Sequence, residues 1–177
     1  MTSRPPGGPG IVVGEGVQPI EFAEHNCFAC GSLNAHGLRM TIHVEPGRSW
    51  SELTMADRFE GWEGVIHGGI LATLLDEVMG WALADGDDWG VTARLTVEYR
   101  RPVLVGTSIR VEGWIDRSRR RVMEMRGRIA DAVTGQEYAT ATATYVTVDD
   151  ERKRQLRDRY GIRRIGLAPE TPEMVAR

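Results

Sequence analysis

Alternating apolar and polar positions mark most of the secondary structure of this chain. Every second residue is apolar from Leu38 to Val44, which is the period of a half-buried strand, and a second strand is predicted at 50–55. The turn sequence EPGR between them predicts a hairpin. The clearest alternation runs from Val91 to Tyr99 and predicts that Thr92 faces away from the apolar side. Three more strands are predicted at 107–116, 121–131 and 137–148.

A long apolar segment, GVIHGGILATLLDEVMGWALA at 64–84, lies between the first two strands and the last four. Its length and composition predict a helix that is buried on most sides. Short connections make the later strands antiparallel neighbours, and six strands around one helix require a curled sheet. The pattern therefore predicts an α+β fold, in which a curved antiparallel sheet of about six strands wraps around one central helix. The small residues of the last strand, at Ala139, Ala141 and Ala143, would let that helix lie close.

The two ends of the chain differ from its centre in composition. Residues 1–20 are rich in proline and glycine, which predicts a flexible N-terminal segment. The folded domain is expected at 21–149. Residues 150–177 form a basic C-terminal tail, where ERKRQLRDRYGIRR carries seven Lys or Arg and two acidic residues, which indicates an amphipathic or solvated extension.

Charge and hydropathy exclude several classes of function. The formal net charge is −3, so no overall attraction to nucleic acid is expected. The sequence has neither the pattern of a secretory leader nor an apolar stretch of membrane-spanning length. We therefore expect a soluble, cytoplasmic protein with no nucleic-acid or membrane partner.

Two adjacent acidic residues, Asp76 and Glu77, interrupt the apolar helix. A buried carboxylate without partners costs several kcal/mol, so these positions require an explanation other than packing. The helix begins at His67, Gly68 and Gly69 without Ser, Thr, Asp or Asn as a cap. Its first N–H groups would then be free to bind an anion or a polarised carbonyl. The alternative is that one of the glycines simply serves as the cap.

The spacing within this helix predicts how a site could be assembled. Gly68 and Asp76 are eight residues apart, which is about 12 Å along one helix. A general base must come within about 3 Å of its proton, directly or through one water. Two antiparallel copies of the helix would bring Gly68 of one subunit near Asp76 of the other, so we expect a homodimer, arranged further as a dimer of dimers, or homotetramer. A purely structural Asp76, hydrogen-bonded across that interface, is the alternative.

The segments HGGILATLLDE, GVTARLTVEYRRPV and NCFACGSLNAHGL, within residues 25–148, resemble the hotdog-fold acyl-CoA thioesterases of the phenylacetate-degradation type. The resemblance implies a hotdog fold and hydrolysis of acyl-CoA to free acid and CoA at a site between two subunits, without a cofactor. It implies that the Gly68 N–H polarises the thioester carbonyl, that His67 lines the same corner, and that Asp76 activates water or attacks directly. Thr92 would help to hold the water. Glu77 and Gly69 are secondary candidates.

One position departs from this family. Many of its members have Asn six residues before the His, where this chain has Gly61. That Asn would help to position the carbonyl or the water. Gly61 is therefore assigned to the substrate-binding part of the site, and the sequence does not determine how the change from Asn affects activity. The departure leaves a second function to test, which is a module that binds acyl-CoA or an aromatic acid without turnover.

Two further groups of residues have more than one reading. His25, Cys27, Cys30 and His36 have ligand types that suit zinc, and C-x-x-C also suits a redox disulfide. The resemblance accounts for the same segment without either, so we predict structural packing and no metal. Arg100, Arg101 and the basic run that includes Arg117, Arg119 and Arg120 could contact the phosphates of CoA, or could be a solvated hairpin edge. Trp62, Trp81 and Trp89 lie near the helix in sequence and suit flat or aromatic groups, although such tryptophans often belong to the core.

Overall fold

A computed structural model describes residues 10–17, 20–84, 86, 89–161 and 163–164. The expectations for residues 1–9 and 165–177 lie outside the described residues. The main helices are α1 (Gly68–Trp81) and α2 (Asp150–Tyr160), and a 3-10 helix spans Asp57–Phe59. The strands are β1 (Gly10–Val13), β2 (Ile20–Glu21), β3 (Thr41–Glu45), β4 (Arg48–Thr54), β5 (Glu60–Trp62), β6 (Val65–Ile66), β7 (Gly90–Tyr99), β8 (Ser108–Arg119), β9 (Val122–Asp131), β10 (Glu137–Thr147) and β11 (Arg163–Arg164).

One curved sheet of seven strands, in the order β1-β3-β4-β8-β9-β10-β7, packs around α1. All six strands predicted from alternation are present as β3, β4, β7, β8, β9 and β10. These six strands pair with one another in antiparallel fashion, as predicted, and β7 is the strand at one end. Two small pairs, β2 with β11 and β5 with β6, were not predicted.

The strand β1 corrects the prediction of disorder for residues 1–20. Gly10–Val13 pairs with β3 in parallel, with Gly10 opposite Thr41 and Val13 opposite Val44. The three apolar residues at 11–13 are β-branched, which favours extended backbone once a sheet edge is available to pair with. The prediction of a flexible segment was therefore wrong for these four residues. It gave more weight to the proline and glycine content of residues 1–20 than to the short apolar run within them.

Glycine on two central strands lets α1 approach the sheet closely. A Cβ at Gly113 would lie 2.7 Å from the backbone N of Met79, and a Cβ at Gly127 would lie 3.1 Å from Leu75 Cδ2. Ala139, Ala141 and Ala143 are all buried, as predicted from their shared face. The closest approach nevertheless occurs at Gly113 on β8, where only glycine leaves enough space for the helix backbone. The side chains of α1 in the core are Leu71, Leu74, Leu75, Val78 and Met79.

An irregularity in β7 changes which of its side chains face the helix. Thr144 pairs with Arg94, but Tyr145 pairs with Thr92, so Ala93 is an extra residue. Directly paired residues share a face of the sheet, and a bulge shifts the alternation by one. Thr92 therefore lies on the same face as Tyr145 and not on the opposite one, and the face predicted for Thr92 was wrong.

The C-terminal helix α2 has no buried residue, in agreement with a solvated extension. Its N-cap is Asp149, whose side chain accepts a hydrogen bond from the Arg152 N–H. Its C-cap is Gly161, which has a left-handed backbone conformation with φ 57°. The end of α2 is held to the start of the domain, since Ala23 N–H donates to the Tyr160 carbonyl. No described helix combines the length and apolar character needed to cross a membrane.

Candidate active site

The start of α1 is capped by a side chain that the sequence analysis did not count as a cap. His67 Nδ1 accepts a hydrogen bond from the Gly69 N–H at 2.9 Å. The expectation of an uncapped helix was wrong, because an imidazole nitrogen is an adequate acceptor although His is not a preferred N-cap. Gly69 is thereby ruled out as a free donor, whereas no hydrogen bond among the described residues uses the Gly68 N–H.

Gly61 lies directly against this capping residue. A Cβ at position 61 would lie 3.0 Å from both Cα and Cδ2 of His67. Such a distance is tighter than ordinary side-chain packing, so an Asn at this position would require His67 to move. Gly61 and His67 therefore form one compact corner in front of the helix.

Asp76 is held by two hydroxyl groups from different strands. Its Oδ1 accepts a hydrogen bond from Thr92 Oγ1 at 2.7 Å and another from the Tyr145 hydroxyl, also at 2.7 Å. Burial and the nearby Asp76 charge raise the pKa of Tyr145, so its hydroxyl stays protonated and remains a donor. No hydrogen bond among the described residues uses Oδ2 of Asp76, which leaves this oxygen for a water or a substrate.

Tyr145 was missed as a site residue by the sequence analysis. It is only 2% exposed and follows Ala139, Ala141 and Ala143 on the helix-facing side of β10. The alternation of YATATATYVTV was the available signal, since it places a hydroxyl-bearing side chain on the same face as the three alanines. What it could not indicate was that the hydroxyl reaches Asp76.

Asp76 and Thr92 open onto an apolar cleft with a volume of about 390 Å³. The side chains that wall it are largely aromatic and aliphatic, a composition typical of sites for apolar groups of small ligands. They include Phe22, Trp81, Leu83, Trp89, Val91 and Tyr145. Of the three tryptophans considered from sequence, Trp62 is not part of this wall and is 85% exposed.

Glu77 has different hydrogen-bond partners from Asp76, although both residues line the apolar cleft. Trp81 Nε1 donates a hydrogen bond to Glu77 Oε1 at 2.8 Å, and the Cys27 Sγ lies 3.8 and 4.0 Å from the two carboxylate oxygens. Burial, followed by the charge of Cys27, raises the pKa of Glu77 to about 7. Neither Thr92 nor Tyr145 donates to Glu77, so the two adjacent acidic residues serve separate groups of neighbours.

Gly68 lines a separate, open cavity of about 280 Å³. The Tyr99 hydroxyl donates a hydrogen bond to the Gly68 carbonyl at 2.8 Å, and Arg100 and Arg101 also border this cavity. Asp76 is absent from its lining. Within one chain, Gly68 and Asp76 therefore do not face a common space, which agrees with the separation expected from helical spacing.

The arginines predicted to bind phosphate fall into two places. Arg117, Arg119 and Arg120 lie exposed at the tip of the β8–β9 hairpin and line neither of the two cavities above. Arg117 is 3.9 Å from Glu124, and Arg100 forms an ion pair with Glu137 at 2.8 Å. Arg101 makes no ion pair with any described residue.

The four possible zinc ligands of the N-terminal segment do not assemble. Cys27, Cys30 and Glu77 bring their ligand atoms within 4.8 Å of one another, but neither His25 nor His36 joins them, although both are described. His25 Nδ1 instead accepts a hydrogen bond from the Cys27 N–H at 3.3 Å. The sequence analysis considered only ligands within residues 25–36. It could not include Glu77, which is 50 residues away from Cys27 along the chain.

Comparison with known proteins adds to this geometry. Residues 63–137 match the model of the thioesterase superfamily. A solved thioesterase superfamily protein is 28% identical, with a TM-score of 0.63 over 68% of this chain and 60% of its own length. A Streptococcus mutans UA159 protein bound to acetyl CoA is 21% identical, with a TM-score of 0.58 over 62% of this chain and 88% of its own.

The fold of the chain is that of the hotdog thioesterases, as predicted. The E. coli PaaI protein from the phenylacetic acid degradation operon is similar in structure, with a TM-score of 0.56 over 59% of this chain and 75% of its own. Its 15% identity supports the fold alone, so the phenylacetate-degradation type stays a prediction.

Proposed function

We propose that this protein hydrolyses acyl-CoA thioesters to a free acid and CoA. The main support is the Asp76 carboxylate, held by Thr92 and Tyr145 at an apolar cleft of a size suited to an acyl group. The match to the thioesterase superfamily supports the same reaction class. Among the similar structures, the S. mutans protein was solved with acetyl CoA and a Streptococcus pneumoniae TIGR4 protein with coenzyme A.

Each residue has a role that follows from its position. The free oxygen of Asp76 takes a proton from a water molecule as that water adds to the thioester carbonyl, and the proton passes to the CoA sulfur as the carbon–sulfur bond breaks. In the other route this oxygen attacks the carbonyl carbon itself and displaces CoA, and water then hydrolyses the resulting anhydride. Thr92, which donates to the other oxygen, orients the carboxylate and helps to hold the water. The Gly68 N–H, at the positive end of the α1 dipole, stabilises the oxyanion. His67 caps the helix and leaves this N–H available.

The site is proposed to lie between two subunits that join at β7. This ten-residue strand has one described neighbour in its sheet, β10, and leaves its other edge open. Val91 and Tyr99 on it are 59% and 53% exposed. Long open strand edges with apolar side chains tend to pair with another strand. The β7 strand of a second subunit, related by a two-fold axis, would be such a partner.

The contacts between α1 and β7 define what such pairing would bring together. Asp76 is bonded to Thr92 near the start of β7, and Gly68 is bonded to Tyr99 at its end. In an antiparallel pair of two β7 strands, a two-fold axis near Thr96 pairs residues that lie equally far from it on the two strands. Because Ala93 is a bulged, extra residue, Thr92 then lies opposite the partner's Tyr99. Asp76 then lies beside the partner's Gly68, so the base and the oxyanion donor meet only in the dimer.

The direct test is CoA release from a panel of acyl-CoA esters, followed with a thiol reagent. We expect turnover, with kcat/KM about tenfold higher for phenylacetyl-CoA than for acetyl-CoA, because the aromatic wall of the cleft buries the larger apolar group. The same panel is measured for binding by calorimetry. Binding without thiol release would contradict hydrolysis and support the non-catalytic binding module that Gly61 leaves as the alternative.

Two groups of arginines are proposed to contact the CoA phosphates. Arg100 and Arg101 border the Gly68 cavity, whereas Arg117, Arg119 and Arg120 are on the hairpin tip. We favour Arg101, which has no ion pair among the described residues, and expect Arg101→Ala to raise KM about fivefold, equivalent to about 1 kcal/mol, with kcat within twofold. Steady-state kinetics on Arg101→Ala and Arg119→Ala separate the groups. A KM increase only in Arg119→Ala would assign the contact to the hairpin.

A further inference from the structure

The cluster of Cys27, Cys30 and Glu77 has no part in the proposed hydrolysis. The three residues line a second cleft of about 650 Å³, together with Phe22 and Trp81. Both sulfurs and a Glu77 carboxylate oxygen lie within 4.8 Å of one another. Both cysteines are free, and they are the two cysteines of the chain. Packing alone would be satisfied by apolar side chains, so two thiols and a carboxylate at one cleft indicate a chemical role.

A tight turn holds the two sulfurs on the same side. The Gly31 N–H donates a hydrogen bond to the Cys27 carbonyl at 3.0 Å. A Cβ at position 31 would lie 2.5 Å from the N and O of Cys27 and from the His25 carbonyl, so only glycine allows this turn. The C-x-x-C-G segment is thereby preorganised, with the two sulfurs within 4.8 Å of each other.

The two cysteines differ in exposure and in acidity. Cys27 is half-buried and Cys30 is 4% exposed. A hydrogen bond from the Cys30 thiol lowers the pKa of Cys27 to about 5, helped by the backbone N–H groups of Cys30 and Ala29. The same contact with Cys27, together with burial, raises the pKa of Cys30. Cys27 is therefore the reachable and more acidic thiol of the pair, and Cys30 is the protected one.

Glu77 gives the buried thiol a proton acceptor. Its carboxylate accepts a hydrogen bond from the Cys27 Sγ at 3.8 Å, and one of its oxygens lies within 4.8 Å of the Cys30 sulfur. Burial raises the pKa of Glu77 to about 7, so near neutral pH the carboxyl group can both accept and release a proton. Glu77 thus belongs functionally with the cysteines, although it is the neighbour of Asp76 in sequence.

We propose that Cys27 and Cys30 form a redox-active dithiol that reacts with low-molecular-weight disulfides, with Cys27 as the attacking sulfur, Cys30 as the resolving sulfur and Glu77 as a positioning and proton-accepting residue. This assignment differs from the structural packing predicted from sequence. It rests on the cluster alone and is independent of the proposed hydrolysis.

The reaction has two steps. The Cys27 thiolate attacks one sulfur of a disulfide RSSR, forming a mixed disulfide and releasing RS⁻. Cys30 then passes its proton to the Glu77 carboxylate and attacks the Cys27 sulfur, which forms the Cys27–Cys30 disulfide and releases a second RS⁻. One released thiolate takes up the proton from Glu77, and the other takes up a proton from solvent water. The protein dithiol is oxidised by two electrons, and RSSR is reduced to two molecules of thiol.

A zinc site is the competing use of the same atoms. Structural zinc takes four protein ligands, and this cluster supplies three among the described residues. The unequal exposure of the two sulfurs also suits sequential attack and resolution better than a closed tetrahedral site. Zinc binding is therefore made an outcome of the test.

The test uses the full chain, reduced, pretreated with a chelator and incubated with oxidised glutathione in the absence of oxygen. Samples are quenched with an alkylating reagent and analysed by intact mass. We expect the wild-type protein to lose both thiols without retaining glutathione, and Cys30→Ser to accumulate one glutathione adduct on Cys27. Cys27→Ser is expected to react at least tenfold more slowly, because the remaining sulfur is buried.

The role of Glu77 is tested by the rate of disulfide closure. Glu77→Gln should slow the second step about tenfold, so that the mixed disulfide becomes visible in an otherwise wild-type pair of cysteines. Glu24→Gln, which removes a carboxylate from the rim of the same cleft, is the matched control and should close at the wild-type rate. Circular dichroism verifies the fold of each variant.

Three results would overturn the proposal. These are retention of both thiols by the wild-type protein, a stable glutathione adduct on it, or one equivalent of zinc that protects both thiols until the chelator removes it. All of these readouts concern thiols and metal, so they remain informative even if no acyl-CoA ester is hydrolysed.

Discussion

Asp76→Asn is expected to lower kcat for acyl-CoA hydrolysis about 100-fold, the usual size of a general-base contribution. The amide keeps the oxygen that accepts from Thr92 and Tyr145, so the local structure should persist. It loses the ability to take a proton or to attack the carbonyl carbon. Steady-state kinetics with the best substrate of the acyl-CoA panel, together with a thermal melt, provide the measurement.

Two variants serve as controls for this loss. Glu77→Gln should lower kcat less than tenfold, since Glu77 contacts Trp81 and Cys27 and not the two hydroxyl donors of Asp76. Asp116→Asn makes the same chemical change on the exposed part of β8 and should leave kcat unchanged. A larger effect in Glu77→Gln than in Asp76→Asn would show that the catalytic carboxylate has been assigned to the wrong residue.

Mixed dimers of two inactive variants are expected to recover about a quarter of the wild-type activity. Gly68→Pro removes the oxyanion-donor N–H, and Asp76→Ala removes the carboxylate. Proline suits this position because it is tolerated in the first turn of a helix and because His67 before it is extended, with φ −61° and ψ 131°. Each variant alone should be nearly inactive.

The size of the recovery follows from the shared site. After equal mixing, unfolding and refolding, half of the dimers combine one chain of each kind, and one of their two sites keeps both intact groups. Refolded Gly68→Pro must first show a native circular dichroism spectrum and a dimeric mass, since Tyr99 lies close to this position. With those controls met, an absence of recovery would exclude the proposed inter-subunit arrangement.

The fold could be predicted because its main features are local. Alternation and turn sequences together identified six strands, and one long apolar segment identified the helix that they surround. The strand at Gly10–Val13 could not be predicted in the same way, because four residues carry little periodicity and its stability depends on a neighbour, β3, that is about 30 residues away.

The candidate site was predictable in part. The position of Asp76 within an apolar helix and the donor N–H groups at Gly68 could be argued from the residues themselves, whereas the role of Thr92 came from the family resemblance. Gly69 was wrongly counted as a free donor, because the direction of the His67 imidazole depends on the turn that precedes the helix. Glu77 was a secondary candidate, and one residue of helix turns its side chain by about 100° from that of Asp76, toward Trp81 and Cys27.

The sequence by itself determined the elements, their order and the presence of a carboxylate that packing does not explain, because periodicity and composition act over short stretches of chain. Only the tertiary structure decided what surrounds that carboxylate. The bulge at Ala93 turns Thr92 toward α1, and the pairing of β10 with β7 brings the Tyr145 hydroxyl to the same oxygen of Asp76. Both contacts depend on register between strands far apart in the chain, and a one-residue shift in register moves a side chain to the opposite face of the sheet.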